Sequence, residues 1–398
     1  MKPSRVWIAF PLLVACSQAG GVAPPGTDGS ASVDVGSMPP TMDALVESAT
    51  SDDAPPIDAT INQSDSAPPV SDASSASDSP PTTDPKREAF LAPLRKLAQP
   101  LPPLAPMLMT ARTAGNVIAQ DFTYASTPSV RVPGTLRRPA SAAGRLPVAI
   151  VLHETGADRT SANVVDIASA LVARGFLAVA ITGRDCAPAS MDAYVQAMKD
   201  AYANPGHDYP FLYDTAWDTI RLVDYLVTRD DVDPARIGLT GISKGGMETV
   251  LVAAVDPRIA AAAPIIGVQS FKWGLDNNAF QARAQSLGDA VPNPNDATAT
   301  RLFYDRVAPG LTGEFDSPQM LPLVAPRPFI VIAGLQDPRN PMPGVQLTMS
   351  AAMPVYAAAG AADHLKLYTA NVGHDGGYPP FHMAAVDWLD MWLGKPKP

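Results

Sequence analysis

The chain has 398 residues, of which 46% are hydrophobic and 17% charged, and its net charge is −10. No basic stripe and no cluster of stacking aromatic residues accompanies this acidic balance, so we expect no nucleic acid among its partners. A chain of this length is long enough for one large domain with a generous core.

The N-terminus has the pattern of a secretory signal. Two basic residues precede an apolar stretch at residues 6–14, which is too short to span a bilayer. Residues 13–16, Leu-Val-Ala-Cys, resemble the lipobox of bacterial lipoproteins. The resemblance implies a lipid anchor on Cys16 and a place in the bacterial cell envelope, with the outer membrane expected, facing the periplasm or the surface. The alternative is an ordinary signal cut near Ala19, with Cys16 discarded; in both cases Cys186 remains alone, and we expect no disulfide.

Residues 17–85 differ sharply in composition from the rest. They are rich in Ser, Ala, Asp, Pro and Thr, with eleven acidic residues and no Lys or Arg. Such a segment cannot bury enough apolar surface to offset the entropy of ordering. We therefore predict a signal peptide at residues 1–15, a disordered acidic tether at 16–85 and a nearly neutral folded domain at 86–398.

The folded domain alternates between predicted strands and predicted helices. The strands lie at residues 122–124, 130–132, 146–152, 175–181, 237–239, 260–266, 328–334 and 365–368, the first two being edge strands. The helices are a docking helix at 86–97, one capped by Asp214, one whose pattern begins at Met247, and a final one with Met383, Val386, Leu389 and Trp392 as its apolar stripe. This alternation predicts an α/β fold, with a mostly parallel, doubly wound sheet covered by helices on both faces.

One turn in this pattern indicates chemistry. Residues 241–245 read Gly-Ile-Ser-Lys-Gly, between the strand at 237–239 and a helix. In this strand-turn-helix context, Gly-x-Ser-x-Gly is the sharp turn that exposes a nucleophilic serine, and its glycines are needed because a Cβ would clash. We predict Ser243 as the nucleophile, the alternative being an ordinary turn.

A serine nucleophile needs a base and an orienting carboxylate. Asp337 and His374 each follow a predicted strand downstream of Ser243, in the loops where open α/β sheets build their sites. The other four histidines, His153, His207, His364 and His382, are placed by their surroundings in structural or surface roles. We therefore predict Asp337 and His374 as the partners of Ser243, although Asp-Pro is also an ordinary turn signal.

The order Ser, Asp, His is typical of the α/β-hydrolase superfamily. The chain resembles its branch near dienelactone hydrolase, acetyl xylan esterase and the catalytic domain of prolyl oligopeptidase, over about residues 120–395. The matching pieces are residues 232–238, 325–328 and 372–374. The resemblance implies an α/β-hydrolase catalytic domain with lid-like insertions, which works without a cofactor.

The oxyanion formed during such a reaction needs backbone donors. Lys244 begins a helix, so its N–H is predicted as one donor. The second is expected from Thr155 or Glu154, after the strand at 146–152, although this loop could also be a plain surface turn. Related enzymes carry His-Gly-x-Gly here, so Glu154 is a departure; a carboxylate would repel the oxyanion and is expected to point away. Because dienelactone hydrolase has a glutamate after this strand, a role for the Glu154 side chain stays open.

Two predicted insertions, at residues 184–213 and 269–320, carry many aromatic residues. These could line a substrate pocket or form a small core of their own, and Trp273 is the predicted pocket wall. No cluster with metal-ligand spacing is present in the sequence, so no metal site is expected.

These patterns predict a serine-dependent ester hydrolase, a carboxylesterase or a carbohydrate deacetylase, that acts on small-molecule or carbohydrate esters. A prolyl oligopeptidase-like peptidase is the alternative, but the tether cannot form the β-propeller that restricts access to those enzymes. A non-catalytic envelope lipoprotein on a hydrolase fold is the third possibility.

Overall fold

The computed structural model describes residues 84–184 and 190–394. The predicted signal peptide, Cys16, nearly all of the predicted tether and Cys186 lie outside these residues. Those predictions therefore stay predictions.

The strands of the described residues form one mixed sheet with ten members. They are β1 (Met107–Leu108), β2 (Arg112–Ala114), β3 (Val117–Thr127), β4 (Val130–Pro139), β5 (Leu146–Leu152), β6 (Leu177–Ile181), β7 (Val232–Ile242), β8 (Ile259–Ile265), β9 (Phe329–Gly334) and β10 (Leu365–Ala370). Their order is β1-β3-β4-β6-β5-β7-β8-β9-β10, and β2 also pairs with β3. The six strands from β6 to β10 in this order are parallel, and the others join antiparallel at one end.

Eleven α-helices connect or flank these strands in the described residues. They are α1 (Pro85–Leu97), α2 (Ala162–Ala173), α3 (Met191–Ala203), α4 (Tyr213–Leu226), α5 (Lys244–Val255), α6 (Phe271–Asp276), α7 (Gln281–Gln285), α8 (Ala297–Val307), α9 (Ser317–Met320), α10 (Met342–Ala358) and α11 (Tyr378–Leu393). Helices α2 and α11 bury their apolar sides in one core, on one face of the sheet. Helices α1, α4, α5 and α10 contribute to the other core. The sheet is thus covered on both faces, as predicted.

The central strands are buried because parallel strands covered on both sides need apolar residues on both faces. All residues of β5, β6 and β9 are buried. The register of β5 with β7 brings Leu152 opposite Gly241, and β9 and β10 end together at Gly334 and Ala370. The loops that carry the predicted site residues therefore leave the same edge of the sheet.

Three local predictions were wrong. Strand β4 is not an edge strand, because it pairs with β3 on one side and β6 on the other, and β3 is flanked by β1 and β2 as well as β4. Asp214 is not the N-cap of α4: the cap is Leu212, while the Asp214 carboxylate accepts a hydrogen bond from the Tyr209 N–H at 3.2 Å. Met383 is 42% exposed, because the buried side of α11 includes Phe381 and Ala385 instead.

The aromatic residues of the two insertions form a core between them. Phe211 of the first insertion lies 5.5 Å from Tyr304 and 6.1 Å from Phe271 of the second, measured between ring centroids. Tyr202 stacks on Phe303 at 5.8 Å. Of the two alternatives left open by the sequence, the structure therefore shows the small core.

Among the helices of the described residues, none combines the length and the apolar character that a membrane crossing requires.

The N-terminus of α5 packs against the end of β8 at a point that only glycine permits. A Cβ on Gly267 would lie 2.3 Å from the carbonyl carbon of Gly246 and 2.4 Å from the Met247 nitrogen, which are backbone atoms that cannot rotate away. We expect Gly267→Ala to reduce the free energy of unfolding by about 1–3 kcal/mol, as overpacked sites do. Urea unfolding measures this change.

Gly313→Ala is the matched control, since the nearest atom to an added Cβ there is 3.8 Å away. Its free energy of unfolding should change by less than about 1 kcal/mol. Equal stabilities for the two variants would show that the close approach at Gly267 does not constrain the fold.

Candidate active site

Ser243 occupies the turn between β7 and α5 in a strained backbone conformation, with φ 53° and ψ −105°. The turn is held by close backbone contacts: a Cβ on Gly241 would lie 2.4 Å from the Gly245 oxygen, and one on Gly245 would lie 2.5 Å from the Leu152 oxygen. A positive φ on a non-glycine residue is costly and persists only where the surrounding structure enforces it. As predicted, a Cβ at either glycine would therefore clash with the backbone.

The structure brings the three predicted side chains together. The Ser243 Oγ lies 2.9 Å from Nε2 of His374, and His374 Nδ1 lies 2.7 Å from Oδ2 of Asp337. All three residues are buried, with at most 5% of their surface exposed. The carboxylate fixes the tautomer, since only a protonated Nδ1 can donate to it; Nε2 is then free to accept from the Ser243 hydroxyl.

The Asp337 carboxylate is also held by its own loop. Oδ1 accepts hydrogen bonds from the N–H groups of Arg339, at 2.8 Å, and Asn340, at 3.2 Å. The Asn340 amide donates to Oδ2 at 2.7 Å. Burial by itself would raise the pKa of Asp337, but the hydrogen bonds from His374 and Asn340 and the charge of His374 outweigh it and hold the pKa below its ordinary value. The carboxylate is therefore ionised beside His374 at neutral pH.

Asn340 is a site residue that the sequence analysis missed. Its amide nitrogen also donates to the Ile266 carbonyl at 2.7 Å, which ties the Asp337 loop to the end of β8. The only sequence signal was its position three residues after a predicted catalytic aspartate. Asparagine is common in such loops, so that signal does not distinguish it from a turn residue.

In the turn between β7 and α5, the backbone N–H groups on either side of Lys244 already donate to other carbonyl groups. The Ser243 N–H donates to the Ile265 carbonyl at 2.9 Å, and the Gly245 N–H donates to the His153 carbonyl at 3.1 Å. Lys244 is the first residue of α5, so its N–H is the donor in this turn that fits the predicted oxyanion role. Its side chain is separate from that role: the ammonium is fully buried and lies 2.7 Å from Oε1 of Glu248, one turn along the helix.

Thr155 and Glu154, the other predicted oxyanion residues, both line the cavity at Ser243. The Glu154 carboxylate is held by the start of α2, with Asn163 donating to Oε1 at 2.9 Å and the Ser161 hydroxyl lying 3.4 Å from Oε2. These partners fix its orientation.

His153 braces the loop that contains these residues. Its Nε2 accepts a hydrogen bond from the Gly183 N–H at 3.1 Å, and its Nδ1 donates to the Glu154 carbonyl at 2.8 Å. The imidazole therefore joins the loops that follow β5 and β6.

A cavity of about 260 Å³ opens at the Ser243 hydroxyl. Besides Ser243 and His374, it is lined by Glu154, Thr155, Met191, Ser286, Arg339, Asp375 and Tyr378. Five of these seven residues have polar or charged side chains. Two larger cavities, of about 690 and 460 Å³, include no side chain of the Ser-His-Asp set.

Trp273 is not among the residues that line this cavity, so its prediction as a pocket wall is not supported. It lies on α6, and a Cβ on Gly344 of α10 would lie 3.7 Å from its ring. The physical reason is that α6 packs against α10, whereas Met191 and Ser286 are the insertion residues that reach the cavity.

Within residues 84–184 and 190–394, no group of three or more His, Cys, Asp or Glu side chains is placed to hold a metal ion. His207 and His364 make contacts away from the site, His207 to Asp208 and His364 to the Pro326 carbonyl. His382 is buried against Tyr378, with ring centroids 5.6 Å apart.

The sheet order, the strand-serine-helix turn and the Ser-Asp-His order together define an α/β-hydrolase. A profile of the family described as "Glucuronyl esterase, fungi" matches residues 127–360, which is more than half of the chain. The chain belongs to this family. The matched residues include Ser243 and Asp337, while His374 lies beyond their end.

Individual proteins are similar to this chain in sequence or in structure. YtaP of Bacillus subtilis (strain 168), named as a hydrolase, is 30% identical over 177 residues, which cover 44% of this chain and 52% of that protein. Methylesterase BT1017 superposes with a TM-score of 0.57 at 19% identity, over 77% of this chain and 62% of that chain. For the glucuronoyl esterase from Solibacter usitatus the TM-score is 0.54 at 18% identity, over 77% and 92%. The chain thus spans about half the length of the curated relative that it matches.

The stacked His382 makes the stability of the protein depend on pH. Burial lowers the pKa of His382 from its ordinary value of 6.5, although the charges of Asp166 and Glu154 raise it. A base with a lower pKa in the folded state takes up its proton more readily when unfolded. Its contribution to stability is therefore complete above about pH 6.5 and is lost as the pH falls through the folded value. We expect His382→Phe, which keeps a ring against Tyr378, to reduce the loss of stability between pH 7.5 and 5.

Urea unfolding at a series of pH values measures this slope. Met383→Ala is the control, because Met383 lies next to His382 on α11, is 42% exposed and carries no titratable group, so the slope should stay unchanged. An identical slope for His382→Phe and the wild type would contradict the assignment.

Proposed function

We propose that this protein is a serine ester hydrolase that acts on carbohydrate esters. The observation that carries the proposal is the pair of short contacts from Ser243 to His374 and from His374 to Asp337, at 2.9 and 2.7 Å. The membership of the glucuronyl esterase family supports an ester as the substrate.

In the proposed reaction, the Ser243 Oγ attacks the ester carbonyl while His374 Nε2 takes up its proton. Asp337 stabilises the imidazolium, and the N–H groups of Lys244 and Thr155 or Glu154 donate to the oxyanion. His374 then returns the proton to the departing alkoxide, which leaves as the alcohol. Water then attacks the acyl carbonyl while His374 takes up its proton, and His374 returns that proton to the Ser243 Oγ as the bond to the acyl group breaks and the acid leaves. Only water is needed as second reactant, so the reaction calls for no cofactor.

The cavity favours a hydroxylated substrate over a long acyl chain. Of the seven residues that line it besides Ser243 and His374, five have polar or charged side chains that can form hydrogen bonds. Carboxylate, guanidinium and hydroxyl groups can satisfy sugar hydroxyls, but they leave an alkyl chain unfavourably solvated. Together with the family, this makes an ester of a uronic acid the substrate that we propose. The acyl group is then the sugar acid, which distinguishes this reaction from deacetylation.

Ser243→Ala should reduce kcat on the methyl ester of glucuronic acid by on the order of 10⁴-fold or more, because the nucleophile is lost. Ser286→Ala is the matched control, since Ser286 lines the same cavity but is not one of the three reacting residues. A fluorophosphonate probe should label the wild type and the Ser286 variant but not Ser243→Ala. Turnover by Ser243→Ala at the wild-type rate would refute the proposal.

The same assay separates the alternatives when acetylated xylan and a prolyl amide are tested in parallel. Preference for the uronic ester supports the proposed substrate. Preference for acetylated xylan indicates a deacetylase, and cleavage of the amide alone indicates a peptidase. Absence of both turnover and labelling in the wild type indicates a binding protein on a hydrolase fold.

We further propose that the protein is lipid-anchored in the bacterial cell envelope. The support is the run at residues 13–16 behind a short apolar stretch, followed by a long acidic segment. Expressed in a bacterial host, the wild type should incorporate radiolabelled palmitate and partition into the detergent phase of Triton X-114. Cys16→Ser should do neither, since the acylated thiol is absent. Equal partitioning of the two proteins would contradict the anchor.

A further inference from the structure

Behind the Ser243–His374–Asp337 set lies a buried cation that the reaction scheme does not use. Arg283, on α7 of the second insertion, is 4% exposed. Its Nη2 donates to the Asn340 Oδ1 at 2.9 Å. With the Gln269 amide in the orientation that its neighbours require, the Gln269 oxygen accepts from Arg283 Nε at 3.2 Å, and its nitrogen donates to the Arg339 carbonyl at 2.7 Å.

These contacts continue to the nucleophile. Asn340 accepts from Arg283 and donates to the Asp337 carboxylate at 2.7 Å, so its amide has one fixed orientation. Asp337 then binds His374, which contacts Ser243. Gln269 and Arg283 thus hold the loop at residues 337–340 from the side of the insertion.

Resting on the proposed function, we propose that Arg283 is a positioning residue for this reaction. It fixes the Asn340 amide against Asp337, and its charge favours the ionised form of the Asp337 carboxylate. The second insertion thereby supports the Asp337 carboxylate and also contributes to the lining of the cavity.

The groups around Arg283 are consistent with this role. Tyr304 and Tyr194 face it from α8 and α3, and Asp337 and Arg339 face it from the loop after β9. Burial lowers the pKa of Arg283 by more than Asp337 and Tyr304 raise it, but a guanidinium remains protonated in proteins. A buried charge is expensive and is retained only with hydrogen-bonding partners, which here are Asn340 and Gln269.

The test compares Arg283→Met, Arg283→Lys and the control Arg301→Met on the ester that the wild type hydrolyses. Arg301 lies on α8 of the same insertion and pairs with Asp276, and its side chain is 37% exposed. We expect Arg283→Met to lower kcat/KM by ~10- to 100-fold, mainly through kcat, because misplacement of a reacting group costs rate more than binding. The acid limb of its pH profile should move to higher pH, because the Asp337 carboxylate takes up a proton more readily without the cation.

Arg283→Lys keeps the charge but loses the two guanidinium hydrogen bonds to Asn340 and Gln269. It should restore the acid limb while recovering only part of kcat. Should Arg283→Met not fold, Arg283→Gln removes the charge but keeps a donor to Asn340 and should show the same displaced acid limb. Rates are referred to the sites that a fluorophosphonate titrates, so partial unfolding does not count as lost activity.

Wild-type kcat and an unmoved acid limb in the charge-removing variant would overturn the role of Arg283 while the wild-type activity stands. A fall in thermal midpoint alone would reduce Arg283 to a structural residue and would overturn the proposal equally. Failure of the proposed function gives a different result, because Ser243→Ala would then retain the activity of the wild type.

Discussion

The close approach between the start of α5 and the strands beneath it governs the whole site. Ser243 has a positive φ because the chain must reverse between β7 and α5 while two glycines lie against backbone oxygens. Such strain costs free energy that the surrounding core must supply. In this structure β5, residues 237–242 of β7 and all but one residue of β8 are buried and leave the turn no room to relax. The exposed hydroxyl is thus a consequence of packing.

The three reacting side chains come from loops far apart in sequence, and the register of the parallel strands brings them to one edge. β9 and β10 end side by side, so Asp337 and His374 leave adjacent strand ends. Their pairing requires that a buried carboxylate stay ionised, which hydrogen bonds from His374, Asn340 and the loop N–H groups achieve. Without those partners, burial would favour the neutral acid and the imidazolium would lose its counter-charge.

In the two insertions, the aromatic residues and the residues that line the cavity are different. The aromatic composition therefore did not identify the cavity wall. Aromatic residues such as Phe211 and Tyr304 pack the insertions against each other, as large apolar surfaces do when water can be excluded. The residues that the insertions present to the cavity are Met191 and Ser286. The polar side chains at the cavity and the glucuronyl esterase family are separate supports for the substrate class that we propose.

The sequence by itself determined the six parallel strands, the turn that carries the serine, and Ser243, Asp337 and His374 as candidates, since runs of apolar residues and a glycine-bounded turn are local properties. It also contained the Lys244–Glu248 spacing, although not its complete burial. Only the tertiary structure decided that Arg283 and Gln269 stand behind Asp337, and that Trp273 lies near Gly344 instead of lining the cavity. These contacts join residues more than fifty positions apart or lie within insertions, where no periodicity links the chain position of a side chain to the direction in which it points.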